Sequence, residues 1–324
     1  MTKSSKVLVT GGAGFIGSHL TEYLLNTDHE VFIIDDLSTG SVDNIRHLLN
    51  HDRLHLYVGS ILNQGMLGKI VPQVETIYHL AAAVGVKYVI DNPLKSLEIN
   101  ILGTHNILQL ANHLHKPRVF IASSSEVYGK NDTVPLQEDA LRILGSSTIA
   151  RWGYSSSKAV DELFALAYCR EKKLPVTIGR FFNTCGKRQT GNYGMVIPRF
   201  VKQALLGHPI TIYGDGEQTR CFSYVGDVIN AVYQLVHSPD TVGEVFNIGN
   251  DEEISIKQLA NLIREMTGSS SNIEFIPYDK AYETGFEDML RRVPDLTKVR
   301  QTINYQVTKD CREIIREVID YLTH

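Results

Sequence analysis

The sequence predicts an α/β fold, a doubly wound parallel sheet with a smaller C-terminal α/β substrate domain, and three observations predict it. Short apolar, β-branched runs recur along the first half of the chain, helical patterns separate most of them, and the first run passes straight into a cluster of glycines. Strands alternating with helices make right-handed βαβ units and therefore a parallel sheet. The runs are continuously apolar, as strands covered on both faces are.

The elements follow in order. Lys6-Val7-Leu8-Val9-Thr10 is the first strand, and residues 18–26 have helical spacing through His19, Leu20, Tyr23, Leu24 and Leu25. Further strands are predicted at 31–34, 54–58, 76–80, 118–122 and 175–180, with strong helices at 100–114 and 155–172. Those two helices carry more apolar surface than one face needs, which points to a homodimer joined through a four-helix contact. Beyond about residue 183 the rhythm becomes irregular, with turns such as Tyr213-Gly214-Asp215-Gly216, yet Val245-Phe246-Asn247-Ile248-Gly249 reads as one more core strand. The expected division is therefore 1–182 plus about 223–250 for the first domain, and about 183–222 plus 251–324 for the second.

With 324 residues, 43% hydrophobic and 21% charged, this is the composition of an ordinary globule. The longest apolar stretches are strand-length, so no membrane span is expected. The opening residues lack the apolar core of a signal peptide, and a cytoplasmic protein is expected. A net charge of −4 with both signs interspersed speaks against nucleic-acid binding. Cys169, Cys185, Cys221 and Cys311 show neither CxxC nor Cys/His ligand spacing, so no disulfide scaffold and no metal site are expected.

Gly11, Gly14 and Gly17 fall between the first strand and the first helix as G-x-x-G-x-x-G. Glycines there let the backbone turn sharply and approach a pyrophosphate, which the helix N-terminus then meets with N–H groups and partial positive charge. Asp35 ends the second strand, where a carboxylate accepts hydrogen bonds from a ribose diol and repels a 2′-phosphate, favouring NAD over NADP. Asp36 is placed to share that task.

The fifth strand runs into Ser123-Ser124-Ser125-Glu126-Val127-Tyr128-Gly129, and Tyr154-Ser155-Ser156-Ser157-Lys158 opens a strong helix. Tyr154 and Lys158, four apart, share a helix face, and the ammonium is expected to lower the phenol's pKa from about 10. A phenolate so placed takes the proton of a sugar hydroxyl while hydride leaves the same carbon, and a serine hydroxyl holds the reacting oxygen.

With these pieces, together with His79-Leu80-Ala81-Ala82, Asn100-Ile101-Leu102-Gly103-Thr104, Arg180-Phe181-Phe182-Asn183-Thr184 and Gly214-Asp215-Gly216…Arg220, the chain resembles an extended short-chain dehydrogenase/reductase acting on nucleotide sugars, over essentially its whole length. The resemblance implies a Rossmann-type sheet, Ser124 as the hydroxyl partner, Tyr154 as base and Lys158 as its modulator. It implies NAD contacts from Gly11, Gly14, Phe15, Ile16, Gly17, Asp35, Ser38, Gly40, Ile61, Leu80, Ala81, Ala82, Asn100, Tyr154 and Lys158. It implies UDP-sugar contacts from Tyr88, Ser125, Asn183, Arg199, Tyr213, Arg220 and Arg292; arginine suits a diphosphate because its fork donates two hydrogen bonds at once. Two positions depart from the family: Gly59-Ser60-Ile61 has serine where an aspartate usually meets adenine, and Cys185-Gly186-Lys187-Arg188 has lysine in place of proline.

Family members share oxidation at C4 of the sugar and then diverge into epimerases, 4,6-dehydratases and decarboxylases. Ser124-Ser125-Glu126 lacks the aspartate of the dehydratases, and Glu126 is one acid–base group more than an epimerase needs. The stretch Tyr282-Glu283-Thr284-Gly285-Phe286-Glu287-Asp288-Met289-Leu290-Arg291-Arg292-Val293-Pro294-Asp295, with Arg151-Trp152-Gly153-Tyr154, resembles the UDP-glucuronic acid decarboxylase and UDP-apiose/UDP-xylose synthase subgroup. That resemblance implies Arg292 beside a C5 carboxylate and Glu126 in proton transfer at C5. UDP-sugar 4-epimerase, then 4,6-dehydratase, and a catalytically inactive NAD-binding regulator stand as alternatives.

Overall fold

The structure, a computed structural model, describes residues 5–191, 195–281 and 289–323. The segment 282–288 of the subgroup-like stretch lies outside the described residues.

Seven strands, numbered here in chain order, form one parallel sheet: β1 (Lys6–Thr10), β2 (Glu30–Asp35), β3 (Leu54–Val58), β4 (Thr76–His79), β5 (Arg118–Ser124), β6 (Val176–Phe181) and β7 (Val245–Ile248). Their spatial order is β7-β6-β5-β4-β1-β2-β3. The order reverses between β1 and β4, and ligands of such sheets bind outside the carboxyl ends of the strands at that point.

Alternate side chains of each strand point to opposite faces. Val7, Val9, Val31 and Ile33 pack under the helices Phe15–Asn26 and Val225–His237 through Leu20, Leu24, Val228 and Val232. Leu8, Phe32, Ile34, Ile77 and Ile121 pack on the opposite side with Leu67, Ile107, Leu108 and Ala165. Each such fully buried Leu or Ile contributes roughly 1.5–3 kcal/mol, and Leu8→Ala leaves a cavity in the second of these layers at a cost of roughly 2–5 kcal/mol. Leu296, Val299 and Tyr305, far along the chain, also join the first cluster.

A separate cluster forms where the helices Val196–Leu205, Ile256–Met266 and Cys311–Thr323 surround the paired strands Ile210–Tyr213 and Ile273–Ile276. Ile256, Leu259, Ala260 and Ile263 make the buried stripe of the middle helix at helical spacing, and a Ser255/Gln258 capping box starts it.

Several elements run longer than the pattern indicated. β5 continues to Ser124, so the serines ride on the strand end, and the helix expected from 155 begins at Trp152, which puts Tyr154 in its first turn. Four free cysteines and no helix long and apolar enough to cross a membrane are found among the described residues.

Candidate active site

A cavity of about 480 Å³ runs along the carboxyl ends of the strands, from Asp35 past the glycine turn to Ser124, Tyr154, Arg220 and Arg292. Its floor at one end is backbone. Gly11 has φ +70°, and a Cβ there would stand 2.9 Å from Ala81 Cα. A Cβ on Gly17 would strike the Gly11 carbonyl. The turn thus leaves the start of the helix Phe15–Asn26 bare, with no side-chain cap, facing the cavity.

Asp35 closes the turn from below: Oδ2 accepts from Ala13 N at 2.9 Å and Oδ1 from Leu37 N at 2.8 Å. Burial raises its pKa against the pull of those amides. Asp36 is exposed and bonds Ser38 N at 3.0 Å, so the chain gives it a local turn to hold as well. Phe15, Ile16, Ser38, Gly40, Ile61, Leu80, Ala81 and Ala82 all line this end. Ser60 lines it too, its hydroxyl accepting from Leu62 N at 3.2 Å. Behind the wall, Thr10 Oγ1 meets His79 Nδ1 at 2.8 Å and receives Ala81 N at 3.1 Å. Burial, with Lys158 nearby, lowers the His79 pKa to about 3, so the ring is neutral and works as a structural link.

Three expected contacts do not line the cavity among the described residues. Asn100 is buried behind it, accepting from Ala83 N at 2.8 Å and donating to Ser157 Oγ at 3.0 Å, so it braces the loop that does. Tyr88 packs against the second cluster from the helix Val86–Asp91. Lys158 is 2% exposed and donates to Asp161 Oδ2 at 2.8 Å.

At the chemical end, Tyr154 shares the cavity with Ser124, whose hydroxyl hydrogen-bonds the phenol. The expected lowering of the phenol's pKa is not the net result: burial raises it, and the pull of Lys158 is opposed by Glu126 and by Asp161. The helix carrying Tyr154 is tied to the sheet through Glu162, which takes Arg180 of β6 in a fork at 2.8 and 2.7 Å and also bonds Ser123 of β5. That tie fixes where the phenol sits.

Glu126 lies between two arginines, Arg292 Nη2 at 2.9 Å from Oε1 and Arg151 Nη2 at 3.5 Å from Oε2. Burial opposes its charge, and Arg292, Arg151 and Arg220 overcome that and hold its pKa at about 2. Arg292 also reaches Ser125 Oγ at 3.3 Å. Arg199 stacks over the Tyr213 ring at 4.2 Å, Asn183 donates to Cys221 O at 2.9 Å, and Arg220 is buried; all of them line the same end. The assigned residues Ser124, Ser125, Glu126, Tyr154, Asn183, Arg199, Tyr213, Arg220 and Arg292 therefore converge.

Sequence reasoning quoted Arg151 only as part of a motif and missed it as a cavity residue; its place one turn before Tyr154 was the available signal. It also missed Gln218 and Tyr278, which bond each other at 3.1 Å over Gly214, whose φ of +77° and lack of Cβ let the ring close in.

The family described as GDP-mannose 4,6 dehydratase matches residues 8–318. The chain is 39% identical to a UDP-N-acetyl-alpha-D-glucosaminuronate decarboxylase of Bacillus cytotoxicus, over 98% of this chain and 97% of that one. It is 35% identical to UDP-glucuronic acid decarboxylase 1 of Danio rerio, over 98% of this chain and 72% of the relative. Among solved structures it is similar to UDP-glucuronic acid 4-epimerase from Bacillus cereus in complex with UDP-glucuronic acid and NAD, with a TM-score of 0.88, 30% identity, and coverage of 98% of this chain and 99% of that one. The chain belongs to the GDP-mannose 4,6 dehydratase family, within the extended short-chain dehydrogenases/reductases that act on nucleotide sugars.

Proposed function

We propose that the protein is an NAD-dependent decarboxylase of a UDP-hexuronate, UDP-glucuronate or its 2-acetamido counterpart. The observation that carries this reading is the half-buried Glu126 held between the buried Arg292 and Arg151 beside Tyr154. Four guanidinium groups, those of Arg151, Arg199, Arg220 and Arg292, line this end against the single carboxylate of Glu126 among the described residues. That excess of positive charge suits a ligand bearing a diphosphate and a carboxylate. A neutral hexose leaves part of it unanswered.

The glycine cradle, the bare helix start and the Asp35 carboxylate fit NAD. When bound, the nicotinamide accepts the C4 hydride and is able to return it. Tyr154 takes the C4 hydroxyl proton, with Ser124 holding that oxygen and Lys158 stabilising the phenolate. The resulting C4 ketone is β to the C6 carboxylate, so the electrons of the C5–C6 bond pass to the ketone oxygen as CO₂ leaves, and a proton then arrives at C5. Glu126 is ionised and cannot donate in the ligand-free site. A substrate carboxylate that engages Arg292 loosens its hold on Glu126, whose burial then favours taking up a proton for C5.

Epimerisation at C4 is the second reading, favoured by the likeness to the 4-epimerase, and it uses the same first step. Incubation with both UDP-hexuronates and with UDP-glucose decides: CO₂ release with a pentose product supports decarboxylation. An axial C4 product of unchanged mass overturns it in favour of the epimerase. A homodimer is part of the proposal, supported by Leu102 at 50% and Leu163 at 63% exposure on the two helical segments expected to pair. Light scattering showing a monomer at working concentration would remove it.

A further inference from the structure

Asp161 has no part in the chemistry above, yet its side chain is completely buried, one turn beyond Lys158 on the helix Trp152–Lys172. Oδ2 accepts from the Lys158 ammonium at 2.8 Å, and the Thr104 hydroxyl is the other group that hydrogen-bonds the carboxylate. A fully buried carboxylate–ammonium pair is a poor choice for stability alone, because taking both charges out of water costs much of what their attraction returns. Its single close charge partner is the amine on which Tyr154 depends.

We propose that Asp161 is the positioning residue of Lys158, holding its ammonium through the 2.8 Å contact and supplying its counter-charge where both side chains are buried. The inference rests on the reading of Tyr154 and Lys158 as the acid–base pair. It explains why Lys158, buried though it is, keeps a raised pKa: burial opposes the charge, and Asp161 foremost, with Tyr154 and Glu162, restores it. The charged and titratable groups around the pair are Tyr154 and Glu162 on the same helix, neutral His79 from β4, Glu126 after β5, and Arg180 of β6, which is already committed to Glu162. None of the others replaces Asp161 at contact distance.

The test needs no substrate. The protein labelled at the lysine ε-carbon is titrated by NMR, with the Lys158 resonance assigned by its absence in Lys158→Arg. In the wild type that resonance is expected to stay at its protonated position up to the alkaline limit of the fold. In Asp161→Asn its midpoint is expected to fall by one unit or more, tenfold in the equilibrium, and Asp161→Glu is expected to restore most of it. A wild-type midpoint at or below that of free lysine, or an unmoved midpoint in Asp161→Asn, overturns the proposal; the first does not depend on Asp161→Asn folding. The alkaline limb of kcat/KM should move with the resonance. Turnover by the wild type on UDP-hexuronates tests the reaction separately, so failure of one is distinguishable from failure of the other.

Discussion

The two ends of the cavity are built by different means. The dinucleotide end is made of backbone: a glycine turn, the start of one helix and the tips of β1, β2 and β4, all within the first third of the chain. The sugar end is made of long charged side chains that meet only after folding, Arg292 reaching Ser125 across 167 positions of sequence. The first end recognises by shape and by fixed dipoles, which every relative needing the same cofactor can share. The second recognises by charge, and a few side chains decide which reaction follows the common oxidation. Substitutions at the sugar end should therefore change what the protein does to its substrate, and those at the dinucleotide end how tightly it is equipped to do it.

The largest effect is expected where the two ends meet. Tyr154→Phe keeps the ring and its packing and removes the group that takes the C4 proton. Turnover should fall by about 10²–10⁴-fold while NAD affinity stays within a few-fold. Equal loss of cofactor would show the phenol to be a dinucleotide contact and blur the division. Next comes Arg292→Ala, which leaves Glu126 with Arg151 at 3.5 Å as its nearer partner. Losing one side of a buried charge pair costs roughly 2–5 kcal/mol. Binding of a UDP-hexuronate, measured by calorimetry, should weaken far more than that of UDP-glucose. A similar loss on both would make Arg292 a diphosphate contact.

Glu126 also gives the sugar end a signature in acid. Its pKa is depressed from 4.5 to about 2, so the stability it contributes is complete above pH 4.5 and is lost as pH falls toward 2. The shift corresponds to roughly 3 kcal/mol. Denaturant unfolding of the wild type should weaken across that window. Glu126→Gln, though less stable at neutral pH because Arg292 and Arg151 face no carboxylate, should show a shallower decline there. A parallel decline in both proteins would mean that the arginines do not hold Glu126 as the geometry indicates.

This contrast also sets how much was legible in the sequence. The glycine spacing and Asp35 state their geometry directly, because a turn is a local event, and β1 through β7 follow from apolar runs that any sheet covered on both faces requires. Tyr154 and Lys158 were legible as a pair by helical periodicity, but the burial of the phenol, and the carboxylates of Glu126 and Asp161 that oppose Lys158, were not weighed, and so the phenol's pKa came out in the wrong direction. Asn100 and Tyr88 were placed by resemblance alone. Resemblance gives a residue's neighbourhood without telling whether its side chain faces the cavity or braces the loop behind it. Arg151 was hidden for the opposite reason: next to a catalytic motif it looked like context, and only the fold brings its guanidinium to Glu126.

The smallest expected effect lies at the dinucleotide end, at Ser60. Its hydroxyl now serves its own turn, accepting from Leu62 N, and it lines the cavity at the tip of β3. An aspartate there is able to keep that local bond and offer a second oxygen to the amino group of adenine. One such hydrogen bond contributes about 0.5–1.5 kcal/mol net, and Asp35 and Asp36 nearby work against a third carboxylate. Ser60→Asp should therefore tighten NAD by less than tenfold and leave kcat on a UDP-hexuronate unchanged. If it changed kcat or product instead, adenine binding would be coupled to the chemistry, and the separation of a backbone-built end from a charge-built end would fail where it is easiest to test.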